Sequence, residues 1–143
     1  MVNIKFIKAC KEGNLKQAQS IYIKNKPDIH AKEDKAFRIA CYYKNIIIAK
    51  WLYSLKDKPN IHVKNEFVFR YACFRGDIGD IEIVKWLIIL KNKSDIHVEN
   101  DKAFKNAYLN GHLKIVQLLF NLNITASFNF IWTLLYIVTF YNI

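Results

Sequence analysis

Apolar positions along the chain recur with the period of a helix inside blocks that themselves repeat. Phe37, Ala40 and Cys41 stand at i, i+3 and i+4, which places them on one face of a helix. The same set returns as Phe6, Ala9 and Cys10, as Phe69, Ala72 and Cys73, and as Phe104, Ala107 and Tyr108. The spacing predicts a first helix of about eight residues in each block, such as Lys35 to Tyr43. Gly13-Asn14 and Gly111-His112 then break the pattern, since glycine can adopt the positive φ that ends a helix. A second helix follows, such as Leu113 to Leu122. It is more continuously apolar, as expected of a helix packed on both neighbours. A polar stretch closes the block, as in Lys56-Asp57-Lys58-Pro59, where proline cannot continue a helix.

The blocks are copies of one unit. Asp28-Ile29-His30, Asn60-Ile61-His62 and Asp95-Ile96-His97 recur, and ten residues after each His stands Ala40, Ala72 or Ala107. The Ala-to-Ala periods are 31, 32 and 35. The longest contains Gly76-Asp77-Ile78 followed directly by Gly79-Asp80-Ile81, a tandem duplication; without one copy the period is again 32. Ile48-Ala49-Lys50-Trp51-Leu52, Ile83-Val84-Lys85-Trp86-Leu87 and Ile115-Val116-Gln117-Leu118-Leu119 then fall in step. The small Ala suits a close crossing of helices. The pattern predicts an all-α solenoid of helix-turn-helix units, at about residues 1–30, 31–62, 63–97 and 98–123.

The stretch from Ala103 to Leu119 closely resembles an ankyrin repeat. That family has Leu-His-x-Ala-Ala-x-x-Gly-His-x-x-Ile/Val-Val-x-x-Leu-Leu where this chain has Phe104-Lys105-Asn106-Ala107-Tyr108-Leu109-Asn110-Gly111-His112-Leu113-Lys114-Ile115-Val116-Gln117-Leu118-Leu119. Asp28-Ile29-His30 and its copies match the family's Asp/Asn-Val/Ile-Asn turn, with His for Asn. With Lys-Trp-Leu and the Ile/Lys/Asn-rich composition, the chain looks most like ankyrin proteins of giant DNA viruses of amoebae. The resemblance covers about residues 1–123. The family's Thr-Pro opening is replaced by Lys35-Ala36, Phe67-Val68 and Lys102-Ala103, and its His by Arg38, Arg70 and Lys105. His30 to Phe37 is seven residues, where the family's usual pattern takes ten, so the projecting hairpin finger is expected to shrink to a tight turn. The resemblance implies a protein-binding scaffold whose concave face takes an unknown host or viral protein. The positions it assigns to that face are Lys32, Glu33, Tyr42 and Tyr43, then Lys64, Asn65, Phe74 and Arg75, then Glu99, Asn100, Leu109 and Asn110. Of these, Tyr42, Tyr43, Phe74 and Arg75 form the expected contact patch, because Tyr and Arg supply most interface hot spots.

Composition adjusts this picture only in part. A hydrophobic fraction of 52% in 143 residues supplies a core for one short solenoid. The net charge of +10 comes from lysines scattered along the chain, with arginine only at positions 38, 70 and 75. Lys, Ile, Asn and Tyr all have A/T-rich codons, so genome composition explains the charge more simply than nucleic-acid binding does. His30, His62 and His97 invite a metal reading, but equivalent positions lie about 8–10 Å apart in a stack and zinc ligands sit about 2 Å from one ion. They are expected to be turn residues bonding the next repeat. The same geometry leaves Cys10, Cys41 and Cys73 too far apart to bridge and makes them buried core. Glu33-Asp34 and Glu99…Asp101 read as solvated turn residues. With no catalytic constellation, the expectation is a chain that is not an enzyme and takes no cofactor. The first residues carry no apolar leader, which points to an intracellular protein.

From Ile115 to Ile143 there is no charged residue, and from Ile124 the repeat is lost. As a helix, twenty residues span about 30 Å, enough for a bilayer core. Residues 124–143 could thus tether a structural protein to a membrane, the alternative to a free scaffold. They could equally cover the last repeat, or be the product of a shifted reading frame.

Overall fold

The recurring Phe, Ala and Cys positions are buried along one face of successive helices. The structure, a computed structural model, describes residues 1–90 and 98–121; the side chains of Asn65, residues 98–101 and Asn121 are outside that description. Asp95-Ile96-His97 and the tail at 124–143 therefore lie outside the described residues. The helices are α1 (Val2–Lys11), α2 (Leu15–Asn25), α3 (Ala31–Tyr42), α4 (Ile46–Ser54), α5 (Val63–Arg75), α6 (Ile78–Leu90), α7 (Val98–Leu109) and α8 (Leu113–Asn121). Among the described residues there is no strand, and no helix is long and apolar enough to cross a membrane. The described residues form an all-helical, repeat-like fold. Successive pairs form hairpins, α1 packs on α3, α3 on α5 and α5 on α7, while α4 packs on α6 and α6 on α8.

The Lys-Trp-Leu phrase has a packing cause. The Trp51 ring meets Phe6 at 6.2 Å and Tyr22 edge-on at 5.8 Å, both in the preceding unit. One unit later, Trp86 meets Phe37 at 6.2 Å and Tyr53 edge-on at 5.7 Å. Each Trp therefore wedges between the two helices of the unit before it, in the edge-to-face geometry that aromatic quadrupoles favour. The next residue, Leu52 or Leu87, is fully buried beside it.

The inter-helix turns couple the units through hydrogen bonds. A first helix ends with carbonyls that have no partner of their own, and the following unit supplies one. Asn45 Nδ2 donates to the carbonyls of Cys10 (2.9 Å) and Lys11 (2.8 Å). His112, at the equivalent position, donates from Nε2 to Phe74 O at 2.8 Å. Where Asn45 or His112 is the donor, the turn being capped must be small. Gly13 and Gly76 have φ of +75° and +69°, and a Cβ on Gly76 would come within 2.1 Å of the His112 ring.

The two described copies of the Asp/Asn-Ile-His phrase each do three jobs. Asp28 Oδ1 accepts from the His30 backbone N–H, and Asn60 Oδ1 from that of His62, both at 2.9 Å. Ile29 and Ile61 are buried. The imidazole then bonds a carboxylate four residues on: His30 Nδ1 to Asp34 Oδ1 at 2.7 Å, and His62 Nδ1 to Glu66 Oε1. Asp34 is buried, not solvated as the sequence suggested, and Glu66 is buried in the same way. A carboxylate is removed from water only when donors replace it, and here the histidine does so. His30 Nε2 also reaches Asp57 in the next unit, at 3.2 Å.

Between His30 and the regular part of α3 the backbone runs left-handed, with φ of 55°, 57° and 55° at Lys32, Glu33 and Asp34. Non-glycine residues adopt this conformation at a cost of roughly 1–2 kcal/mol each. Arg38 offsets it by donating to Glu33 O (2.8 Å) and Lys32 O (2.9 Å). Arg70 makes the equivalent bond to Lys64 O at 3.2 Å, where Lys64 and Glu66 again have positive φ. This left-handed turn is what the short spacing from His to Phe produces.

Two tests follow from these contacts. Gly76→Ala should destabilise the chain by on the order of 1–3 kcal/mol, read as a lower unfolding midpoint in urea; an unchanged midpoint would refute the fit. The hydrogen bonds to Asp57 and then Asp34 raise the pKa of His30. A histidine raised on folding adds stability below its unfolded value, near 6.5, and loses it as pH rises through the folded value. The stability difference between wild type and His30→Asn should therefore shrink from about pH 6 to about pH 8, and a constant difference would sink the assignment.

Candidate interaction surface

Helix α5 carries two apolar faces. One, with Phe69, Ala72 and Cys73, is buried in the stack. The other has Phe67, Tyr71 and Phe74 at i, i+4 and i+7, half-buried or exposed. A helix in a layer needs one such face for its core, so the second is left over. Phe67 stacks on Tyr71 at 5.5 Å and 16°, and Tyr71 stacks on Tyr42 of α3 at 5.0 Å and 21°. Tyr43 adjoins Tyr42 at 5.1 Å, and Phe74 adjoins Tyr71 at 6.1 Å. The rings form one continuous cluster across two units. Tyr42, Tyr43 and Phe74 are 40%, 45% and 47% exposed, so the cluster lies on the surface and not in the core. The Tyr71 hydroxyl donates to that of Tyr42 at 3.4 Å, a bond that raises the pKa of Tyr71.

Between α5 and α7 the cluster opens into a cleft of about 120 Å³ lined by Phe67, Arg70, Tyr71, Phe74 and Asn106. A larger groove of about 270 Å³ runs along the inter-helix turns of the third and fourth units, past Gly76, Ile81 and His112. The smaller cleft is the better candidate, because exposed aromatic area converges on it and large exposed aromatics mark interaction sites. Among the described residues no three His, Cys, Asp or Glu side chains converge to hold a metal. Burial pushes the Cys10 thiol up to about 12 and raises those of Cys41 and Cys73, which disfavours the reactive thiolate.

Of the residues expected on the binding face, Tyr42, Tyr43 and Phe74 are brought together in the cluster. Leu109, the last residue of the adjoining α7, and Asn110 just after it are exposed. Lys32 and Glu33 lie in the left-handed turn, where Glu33 is held by Lys64 at 2.7 Å. That bond lowers the pKa of Glu33. The side chains of Asn65, Glu99 and Asn100 lie outside the described residues. Phe67 and Tyr71 were missed by sequence reasoning; their spacing of four and three with Phe74 was the available signal. No family model, no curated protein and no solved structure matches the chain.

Arg75 has a different position from that expected of a contact residue. It is committed to the stack: its guanidinium pairs with the fully buried Asp80 and donates to Tyr42 O. It also lies 5.1 Å over the Tyr42 ring and 4.9 Å over Tyr71. Tyr42 O is the equivalent of the carbonyls capped by Asn45 and His112 in the other units. At this interface the capping position holds Asp80, which as a carboxylate cannot donate, so Arg75 reaches in as the donor and Asp80 holds it. The inserted Gly-Asp-Ile starts α6 earlier, with Asp77 paired to Lys44 and Gly79 against the Lys44 side chain.

Arg75→Leu should lower stability by roughly 3–5 kcal/mol by leaving Asp80 buried without its partner. The Arg75→Leu/Asp80→Asn variant restores a donor of the type found at Asn45 and should recover most of that loss. Equal unfolding midpoints for the single and double variants would show that Asp80 and Tyr42 O do not depend on Arg75.

Proposed function

We propose that this chain is an ankyrin-type repeat scaffold that binds a protein partner, acting as a binding module and not as an enzyme. The helix pairs packed in series, the turn phrase ending each unit and the short inter-helix turns support the ankyrin-type reading. One observation carries the binding role: the exposed aromatic cluster of Tyr42, Phe67, Tyr71 and Phe74, continuous across two units and open at a cleft. Rigid aromatic side chains bury large area at small entropic cost, which makes such a cluster an anchor for a partner.

The test compares partner capture by the wild-type chain and by Tyr42→Ala/Tyr71→Ala, with circular dichroism confirming that the variant keeps its helices. Specific capture should fall by about tenfold or more, the effect of losing a hot spot. Equal capture by the folded variant would reject this face as the binding surface.

A further inference from the structure

The two ends of the stack are built differently. On the first unit the positions that face backwards are polar and exposed: Lys5 and Gln17 stand where the second unit buries Ala36 and Ile48. The fourth unit has no such substitution on its forward side. The residues that meet the next unit's Trp are Phe6 and Tyr22 in the first unit and Phe37 and Tyr53 in the second. Their counterparts in the fourth are Phe104 and Phe120. Solenoids need a polar outer face at each end to stay soluble, so an apolar end must be covered.

That forward side is covered in one part and open in another. Phe104 is 2% exposed, against 1% for Phe6 and Phe37, which have a following unit against them. By contrast, Phe120 is 43% exposed. A Cβ on Gly111 would meet nothing within 4 Å, whereas one on Gly13 or Gly76 meets the next unit's donor. A following first helix would lie over Phe104, as α3 lies on α1. The donor at Gly111 and the ring against Phe120 would come from a following inter-helix turn and second helix.

Residues 122–143 have the length and the pattern for that one helix. From the end of α2, α4 and α6 to the end of the next first helix is 17, 21 and 19 residues, and 22 follow Asn121. The phrases of the repeat are lost from Ile124, but its apolar positions continue. At a period of 32 from Ala107, the places of Ala36, Phe37, Ala40 and Cys41 fall to Leu135, Tyr136, Thr139 and Phe140, one face of a helix. Ser127-Phe128-Asn129 then falls at the place of Asp28-Ile29-His30, again with an apolar residue between polar ones.

We infer that residues 122–143 are the cover: a connection and one further first helix of this same chain, laid on α7 over Phe104. The inference rests on the serial packing of the units and is independent of the partner-binding role. It makes the uncharged tail an end cap and not a membrane anchor, because its apolar residues are buried within the stack. A second copy stacked end to end is a poorer cover, since it would bring Lys5 and Gln17 against Phe104 and strip both of water.

The test uses the full chain in lipid-free buffer. Hydrogen exchange at the amides of residues 135–140 should be slowed by about a hundredfold or more. That protection should survive about tenfold dilution of the protein. The urea midpoint should fall for Leu135→Ala and for Phe104→Leu, and the two losses should not add in the double variant, as for residues in contact. Circular dichroism checks that each variant keeps its helices. Unprotected tail amides, or losses that add, would overturn the cap. Protection that disappears on dilution would give the cover to a second copy and overturn the intrachain assignment. Flotation of the wild-type chain with phosphatidylcholine vesicles, with tail protection only in their presence, would overturn the cap in favour of a membrane anchor.

Discussion

Helices α1, α3 and α5 each end in carbonyls that their own turns do not satisfy, and the next unit supplies the donor. Asn45 meets this requirement for Cys10 and Lys11, Arg75 for Tyr42, and His112 for Phe74. The glycines at 13 and 76 are small because those donors lie against them. The Trp wedges then set each unit on the one before. A buried acceptor without a donor costs about as much as a lost hydrogen bond, roughly 1–3 kcal/mol, so one such failure per interface would be felt throughout a short stack.

The left-handed turns have a comparable logic. Their positive φ values are unfavourable for lysine, glutamate and aspartate, yet they let the chain turn from one unit into the next within a few residues. Three groups hold them: the histidine–carboxylate bond, the Asx turn before it, and the arginine that binds the turn's carbonyls. The basic residue four positions after the buried carboxylate is thus part of the same device as the histidine four positions before it. A His, an acid and a base at equal spacing form one local motif.

Much of this was legible in the sequence. The helical pairs, the buried Phe, Ala and Cys positions, the turn role of His30 and the shortened connection all follow from spacing, because burial of one helical face leaves a periodic trace. Asp34 was misread, since charged residues in a turn are usually solvated and nothing local shows that a histidine four residues earlier lies within reach. Phe67 and Tyr71 were passed over for a related reason. Spacing reveals that α5 has two apolar faces, but only the packing of α3, α5 and α7 decides which one is left outside. Arg75 was read as a contact residue because it aligns with the exposed Tyr43 and Asn110, and nothing in the repeat shows that the duplicated tripeptide puts a buried acid, Asp80, beside it.

That duplication shows how much irregularity the stack absorbs. Helix α6 has 13 residues where α4 has 9, and its capping position carries an acid in place of a donor. The interface nevertheless closes, because a long guanidinium spans the gap and the misplaced acid becomes its counterion. Unit length is therefore elastic by about one helical turn, with the reach of a single side chain setting the limit. A lineage of such repeats can drift in length without losing register, provided that each insertion arrives beside a residue able to bridge it.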